Sequence, residues 1–135
     1  MSERRYLDTN VIIRHLTQDD ARLAKVADRL FAACDRAELM LVILPVVLAE
    51  CVFLLESFYK KSRSDIAVAL STLVGSPGIV VVDANIHVDA LARYGRGKVH
   101  FVDCLIAAHA AATGHAVASF DADMKKFSDV RVELQ

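Results

Sequence analysis

A chain of 135 residues has room for one domain with a substantial core and too little for two, so residues 1–135 are read as a single unit. The net charge of −1 excludes the global basicity common among nucleic-acid binders, and no block of like charge is long enough to form a tail. With 55% hydrophobic residues, a membrane span at Leu39 to Leu55 has to be weighed; the run is short of the roughly 20 residues required, and Pro45 and Glu50 divide it. The opening MSERRYLDTN has charges but no apolar segment of the kind a signal peptide carries.

In chain order, Arg5 to Leu7 predicts a short strand, and Asn10 is a good N-cap for a helix carrying Val11, Ile12 and Leu16. Ala21 to Arg36 repeats apolar residues at helical spacing and leads to a buried strand, Met40 to Ile43. Pro45 suits the first turn of a helix running to about Tyr59; Lys60 to Arg63 reads as a basic joint before a helix over Asp65 to Val74. Gly75, Pro77 and Gly78 end that helix. The β-branched run Ile79 to Val82 predicts the central strand of a parallel sheet, closed by Asp83. Helices are expected at Asn85 to Tyr94 and Phe101 to Thr113, with Gly95 and Gly97 in a loop and Gly114 as the stop. Ala116 to Ser119 reads as a strand, Asp121 as the cap of a short helix ending near Phe127, and Arg131 to Leu134 as a final strand. Strands alternating with helices predict an α/β domain, three layers around a mainly parallel central sheet, with ligands beyond the carboxyl ends of the strands.

Four acids, Asp8, Glu50, Asp103 and Asp121, each sit beside an apolar stretch where an unpaired carboxylate is costly. Taken singly, Asp8 can begin a turn, and Asp103 and Asp121 can be caps or first-turn anions favoured by the helix dipole. Glu50 resists such a reading, because Val46, Val47, Phe53 and Leu54 surround it at helical spacing; a buried salt bridge or an interface role remain open for it. Converging carboxylates would repel one another unless Mg²⁺ or Mn²⁺ supplied the compensating charge, and all-oxygen ligation selects such hard cations. The matching chemistry is metal-dependent phosphodiester hydrolysis. Thr9, Asn10 and Ser119 are placed to orient carboxylates or water, although a cap explains Asn10 alone and a strand terminus explains Ser119.

Cys34, Cys51 and Cys104 are scattered and lie in apolar or helical context, which predicts reduced core residues of a cytoplasmic protein. The five histidines show no metal-binding spacing. Setting the four acids aside turns the remaining net charge positive, and basic residues cluster as Arg4/Arg5, Lys60/Lys61/Arg63, Arg93/Arg96/Lys98 and Lys125/Lys126. These clusters can grip phosphates, or can simply be solvated helix ends.

With those residues in place, the chain resembles the PIN-domain nucleases, and among them the VapC-type toxins of bacterial toxin–antitoxin pairs. The resemblance spans nearly the whole chain and rests on LDTNVIIRHL, LPVVLAECVFLLESFYKKSR, GKVHFVDCLIAAHAAATG and ASFDADMKKF, in family order and spacing. It implies a PIN-like α/β/α fold and a site in which Asp8, Glu50, Asp103 and Asp121 ligate Mg²⁺ or Mn²⁺ while Asn10 and Ser119 assist. It further implies an RNA substrate, a homodimer and a small cognate antitoxin. Many members carry an acid where His100 stands, and Asp123, a second acid in the last motif, either touches metal or caps the short helix.

Two rivals come from other classes. A phosphoacceptor signalling domain would use Asp83, but it expects adjacent acids after the first strand and a lysine after a late one, where this chain has LDTN and ASFD. A catalytically inactive PIN-like interaction module would not need the retained acid quartet.

Overall fold

The computed structural model describes residues 3–134. Three parallel strands, β1 (Glu3–Tyr6), β2 (Leu39–Ile43) and β3 (Ile79–Val81), form a sheet in the order β1-β2-β3. Glu3 pairs with Leu39 and Tyr6 with Val42; Leu41 pairs with Ile79 and Ile43 with Val81. The helices are α1 (Thr9–Thr17), α2 (Ala21–Asp35), α3 (Pro45–Ser57), α4 (Arg63–Val74), α5 (Ala84–Arg96) and α6 (Phe101–Thr113), followed by a 3₁₀ turn, Ala122–Lys126. The architecture is the expected three-layer α/β/α domain with a parallel sheet.

Five expectations are corrected. The central strand is β2, not the Ile79 run, which lies at the sheet's edge with Ile79 and Val80 only partly buried. β-Branching reports a fit to a pleated surface and says nothing of strand order. The strands expected at Ala116 to Ser119 and Arg131 to Leu134 reduce to one parallel bridge, Val117 to Val132, held by Val117 N–H to Arg131 O and Glu133 N–H to Val117 O, both 2.8 Å. Asp8, not Asn10, caps α1, and α4 starts at Arg63 on the Ser62 hydroxyl, which accepts from Asp65 N–H at 3.0 Å. Gly95 belongs to α5 rather than to a loop: a Cβ there would lie 2.7 Å from the Ala67 Cβ, so its bareness lets α4 and α5 approach.

Most of the core is one cluster joining Leu39, Leu41 and Ile43 of β2 to Ile12, Leu48, Leu55, Ile66, Leu70, Leu91 and Tyr94. Helix α6 lies between this cluster, which Phe101, Cys104 and Ala108 face, and a smaller one in which Ala107 and Ala110 pack with Val117 and Met124. Burial on two sides accounts for the small and apolar residues at the α6 contact positions, while Val102 and Ile106 stay exposed. The three cysteines are free and buried, as their context predicted, and desolvation pushes the Cys51 thiol up to about 12. Among the described residues no helix is long and apolar enough to cross a membrane.

Two arginines assigned to possible phosphate clusters are structural. Arg63 donates to Tyr94 O at 3.0 Å and to Val99 O, and lies over the Tyr94 ring, whose hydroxyl donates to Glu56 at 2.8 Å. Arg93, only 6% exposed, pairs with Asp129 at 2.5 Å and with Asp89 at 3.1 Å, fastening the C-terminal segment to α5.

The turn into β3 depends on Gly78. Its φ is +81°, and a Cβ would meet the Cys34 sulfur at 2.6 Å. Gly78→Ala should therefore destabilise the domain by about 2 kcal/mol, combining left-handed strain with overpacking. Urea denaturation checks this; an unchanged midpoint would contradict it.

Candidate functional site

Asp8 follows β1 and caps α1, where its Oδ1 accepts from Thr9 N–H at 2.7 Å. Asp8 is exposed, Thr9 is buried, and Asn10 stands exposed in the first turn of α1. Helix α3 packs beside α1 and brings Glu50 to a groove of about 370 Å³ shared with Thr9, Asn10 and Arg14. Asn10 and Arg14 also line the adjoining groove of about 720 Å³, together with Asp8. Asp8, Thr9, Asn10 and Glu50 thus line two grooves that share Asn10 and Arg14.

Glu50 is not buried, as its apolar neighbours had suggested. It is exposed, and so are Val46 (70%) and Phe53 (63%) on the same face of α3, whose other side carries the core residues Leu48, Cys51, Val52 and Leu55. Sequence spacing placed the neighbours correctly and misjudged what covers them. Of the open alternatives for Glu50, an uncovered apolar strip fits an interface role, and no ion pair holds it among the described residues.

A separate group of acids lies where α6 begins. His100 caps α6 without a side-chain bond, so Asp103 is not an N-cap but a half-buried acid in the first turn. Its carboxyl is pushed above the ordinary aspartate value, first by desolvation and then by the charges of Asp121 and Asp123, with His100 acting in the opposite direction. Asp121 caps the 3₁₀ turn: its Oδ1 accepts from Asp123 N–H, and its own N–H donates to Ser119 Oγ, both at 2.9 Å. Asp123 pairs with Lys126 at 2.8 Å. Asp103 therefore senses the charges of Asp121 and Asp123, yet among the described residues no three acidic, cysteine or histidine side chains stand close enough to hold a metal ion together.

One arrangement escaped the sequence reading. Arg14, between the two grooves, donates through Nη1 to both oxygens of Asp19 at 2.8 and 2.9 Å and reaches the Tyr59 hydroxyl at 3.4 Å, while its Nε is buried without a partner. Tyr59 lies 45 residues away from Arg14, and no sequence periodicity connects them. Asp83, the rival acceptor, sits at φ 55° as the N-cap of α5 beyond an edge strand, with no side-chain capping bond.

The sequence profile of the PIN domain matches residues 5–130, and the chain belongs to that family. No curated protein sequence gives a match. Among solved structures the chain is similar to the VapBC2 complex of Rickettsia felis bound to a DNA fragment from their promoter, at 18% identity and a TM-score of 0.41, covering 96% of this chain and 97% of that one.

Because the folded-state pKa of Asp103 is raised above 3.8, the native chain binds more protons than the unfolded chain between that value and the raised one. Stability from this group therefore falls as pH rises through the window and stays lowered at neutrality. Asp103→Asn, tested without metal, should raise the melting temperature at pH 7 by on the order of 1–3 °C after allowing for solvent screening and a lost helix-dipole contact. The gain should vanish below pH 4. A pH-independent difference in thermal melts would show that desolvated charge is not what Asp103 carries.

Proposed function

We propose that the chain is a metal-dependent endoribonuclease and the toxin of a toxin–antitoxin pair, with Asp8, Glu50, Asp103 and Asp121 as the residues that hold Mg²⁺ or Mn²⁺. The observation that carries this reading is Asp103: a partly desolvated carboxyl kept at the start of α6 although two further acids repel it. The donor set fits a hard divalent cation by its chemistry, since every proposed ligand is a carboxylate and the repulsion at α6 is of the kind a cation offsets. When bound, such an ion supplies Lewis-acid polarisation and charge neutralisation to a phosphodiester.

The chain's own residues have separable parts in this reading. Thr9 N–H fixes one oxygen of Asp8 and leaves the other free to face a ligand. Ser119 and Asp123 orient Asp121 through backbone bonds on either side, which gives Ser119 and Asp123 supporting places beside it. Asn10, exposed between both grooves, offers an amide donor to a phosphate oxygen. RNA as substrate and an antitoxin as partner rest on the resemblance to VapC-type toxins. The uncovered Val46, Phe53, Phe58 and Val68 support a homodimer or an antitoxin contact, whereas Ile66 and Leu70 of the same helix as Val68 belong to the core. The buried, unpaired thiols support a cytoplasmic setting.

A second reading, a PIN-like module that binds protein without turnover, is favoured by one observation: the acids stand in two halves rather than in a formed metal shell. Cleavage of a single-stranded RNA separates the two. Wild type should cut with added Mg²⁺ or Mn²⁺ and stop in EDTA, and Asp103→Asn should lose at least ~100-fold in rate while remaining folded. Cleavage that persists in EDTA, or survives in Asp103→Asn, would remove the proposed site.

A further inference from the structure

Phe120 is 96% exposed, the most exposed large apolar side chain among the described residues. It occupies the position between Ser119 and Asp121, where the backbone is held by the Ser119 Oγ bond to Asp121 N–H and by the Asp121 cap of the 3₁₀ turn. A phenyl ring in water forgoes the burial that ordinarily stabilises it, and here it does so on a pinned segment rather than on a loose loop. Its flank is polar. Asp121 and the exposed Lys125 lie in the same short segment, with Asp123 and Lys126 paired beside them.

An apolar protein surface closing over Phe120 would have to desolvate those charges without replacing their water, which is unfavourable. A nucleobase makes no such demand. It stacks flat on a phenyl face, leaves its edges and the adjacent carboxylates hydrated, and carries a phosphate that exposed lysine can meet. We propose that Phe120 is a base-stacking platform that seats one unpaired nucleotide of the substrate strand next to Asp121. This rests on the ribonuclease reading above and adds to it a residue that positions the strand. Stacking of this kind selects single-stranded or looped RNA over duplex, because a paired base cannot present its face.

The test uses the full-length chain in the Asp103→Asn background, so that the strand stays intact, and a fluorescent single-stranded RNA containing 2-aminopurine. Phe120→Ala should weaken binding about tenfold and reduce 2-aminopurine quenching, Phe120→Trp should preserve both, and Phe120→Leu should behave like the alanine variant. Because the side chain is exposed, all three should melt within about 1 °C of the parent. Undiminished binding by Phe120→Ala would overturn the inference alone, leaving RNA binding intact. If Phe120→Leu retains full binding, or Phe120→Ala shifts the chain from dimer to monomer in light scattering, the ring is an apolar contact between proteins and the stacking role is lost. Failure of the parent to bind RNA at all would instead overturn the ribonuclease reading and this inference with it.

Discussion

Helix α6 is packed from two sides, and the placement of the C-terminal acids follows from that constraint. Phe101, Cys104 and Ala108 are committed to the main core, while Ala107 and Ala110 are committed to the cluster with Val117 and Met124. A helix fixed on both flanks cannot rotate to carry Asp103 further into open water, although Val102 beside it is exposed. Asp103, next to Cys104, is therefore held half-buried, and the same C-terminal cluster carries Asp121 and Asp123 within range of its charge. Alanine at the contact positions permits this, since larger side chains at Ala107 and Ala108 would push the two clusters apart.

Electrostatics then divides the molecule into charges that are satisfied internally and charges that are not. Arg63 and Arg93 are consumed by Tyr94, Glu56, Asp89 and Asp129, tying α3, α4, α5 and the C-terminal segment together. Asp19, held by the Tyr59 hydroxyl and by Arg14, has its carboxyl drawn down to about 2, the opposite of Asp103. The contrast is physical rather than positional. Asp19 has donors around it, and Asp103 has desolvation and other carboxylates. A carboxylate kept in the second kind of environment is disfavoured in its charged form, the kind of perturbation that makes a group a candidate for function.

Much of this was legible in the sequence, and the limits are instructive. Helix spacing, the Pro45 start of α3 and the Gly114 stop of α6 are local signals, and each element formed where they pointed. The acids were singled out because a carboxylate within an apolar run is improbable by itself. Strand order was not legible, because β-branched residues look alike in a central and an edge strand, so β3 was placed wrongly. Glu50 was misjudged for a related reason: apolar neighbours on a helix face predict burial only if something covers that face, and periodicity does not say whether the cover belongs to the same chain. The long-range pairs Arg93 with Asp129 and Arg14 with Tyr59 have no periodic signature at all.

The central claim is that the two acidic halves, Asp8 with Glu50 and Asp103 with Asp121, act as one cation site. Calorimetric titration of Mn²⁺ into the wild-type chain, Asp8→Asn, Asp103→Asn and the double variant tests it most directly. One shared site predicts that either single substitution weakens binding nearly as much as both together, with strong coupling between the halves. Independent losses that simply add, or a single variant that binds Mn²⁺ as the wild type does, would mean that the halves are separate and that the acids do not form the site proposed for them.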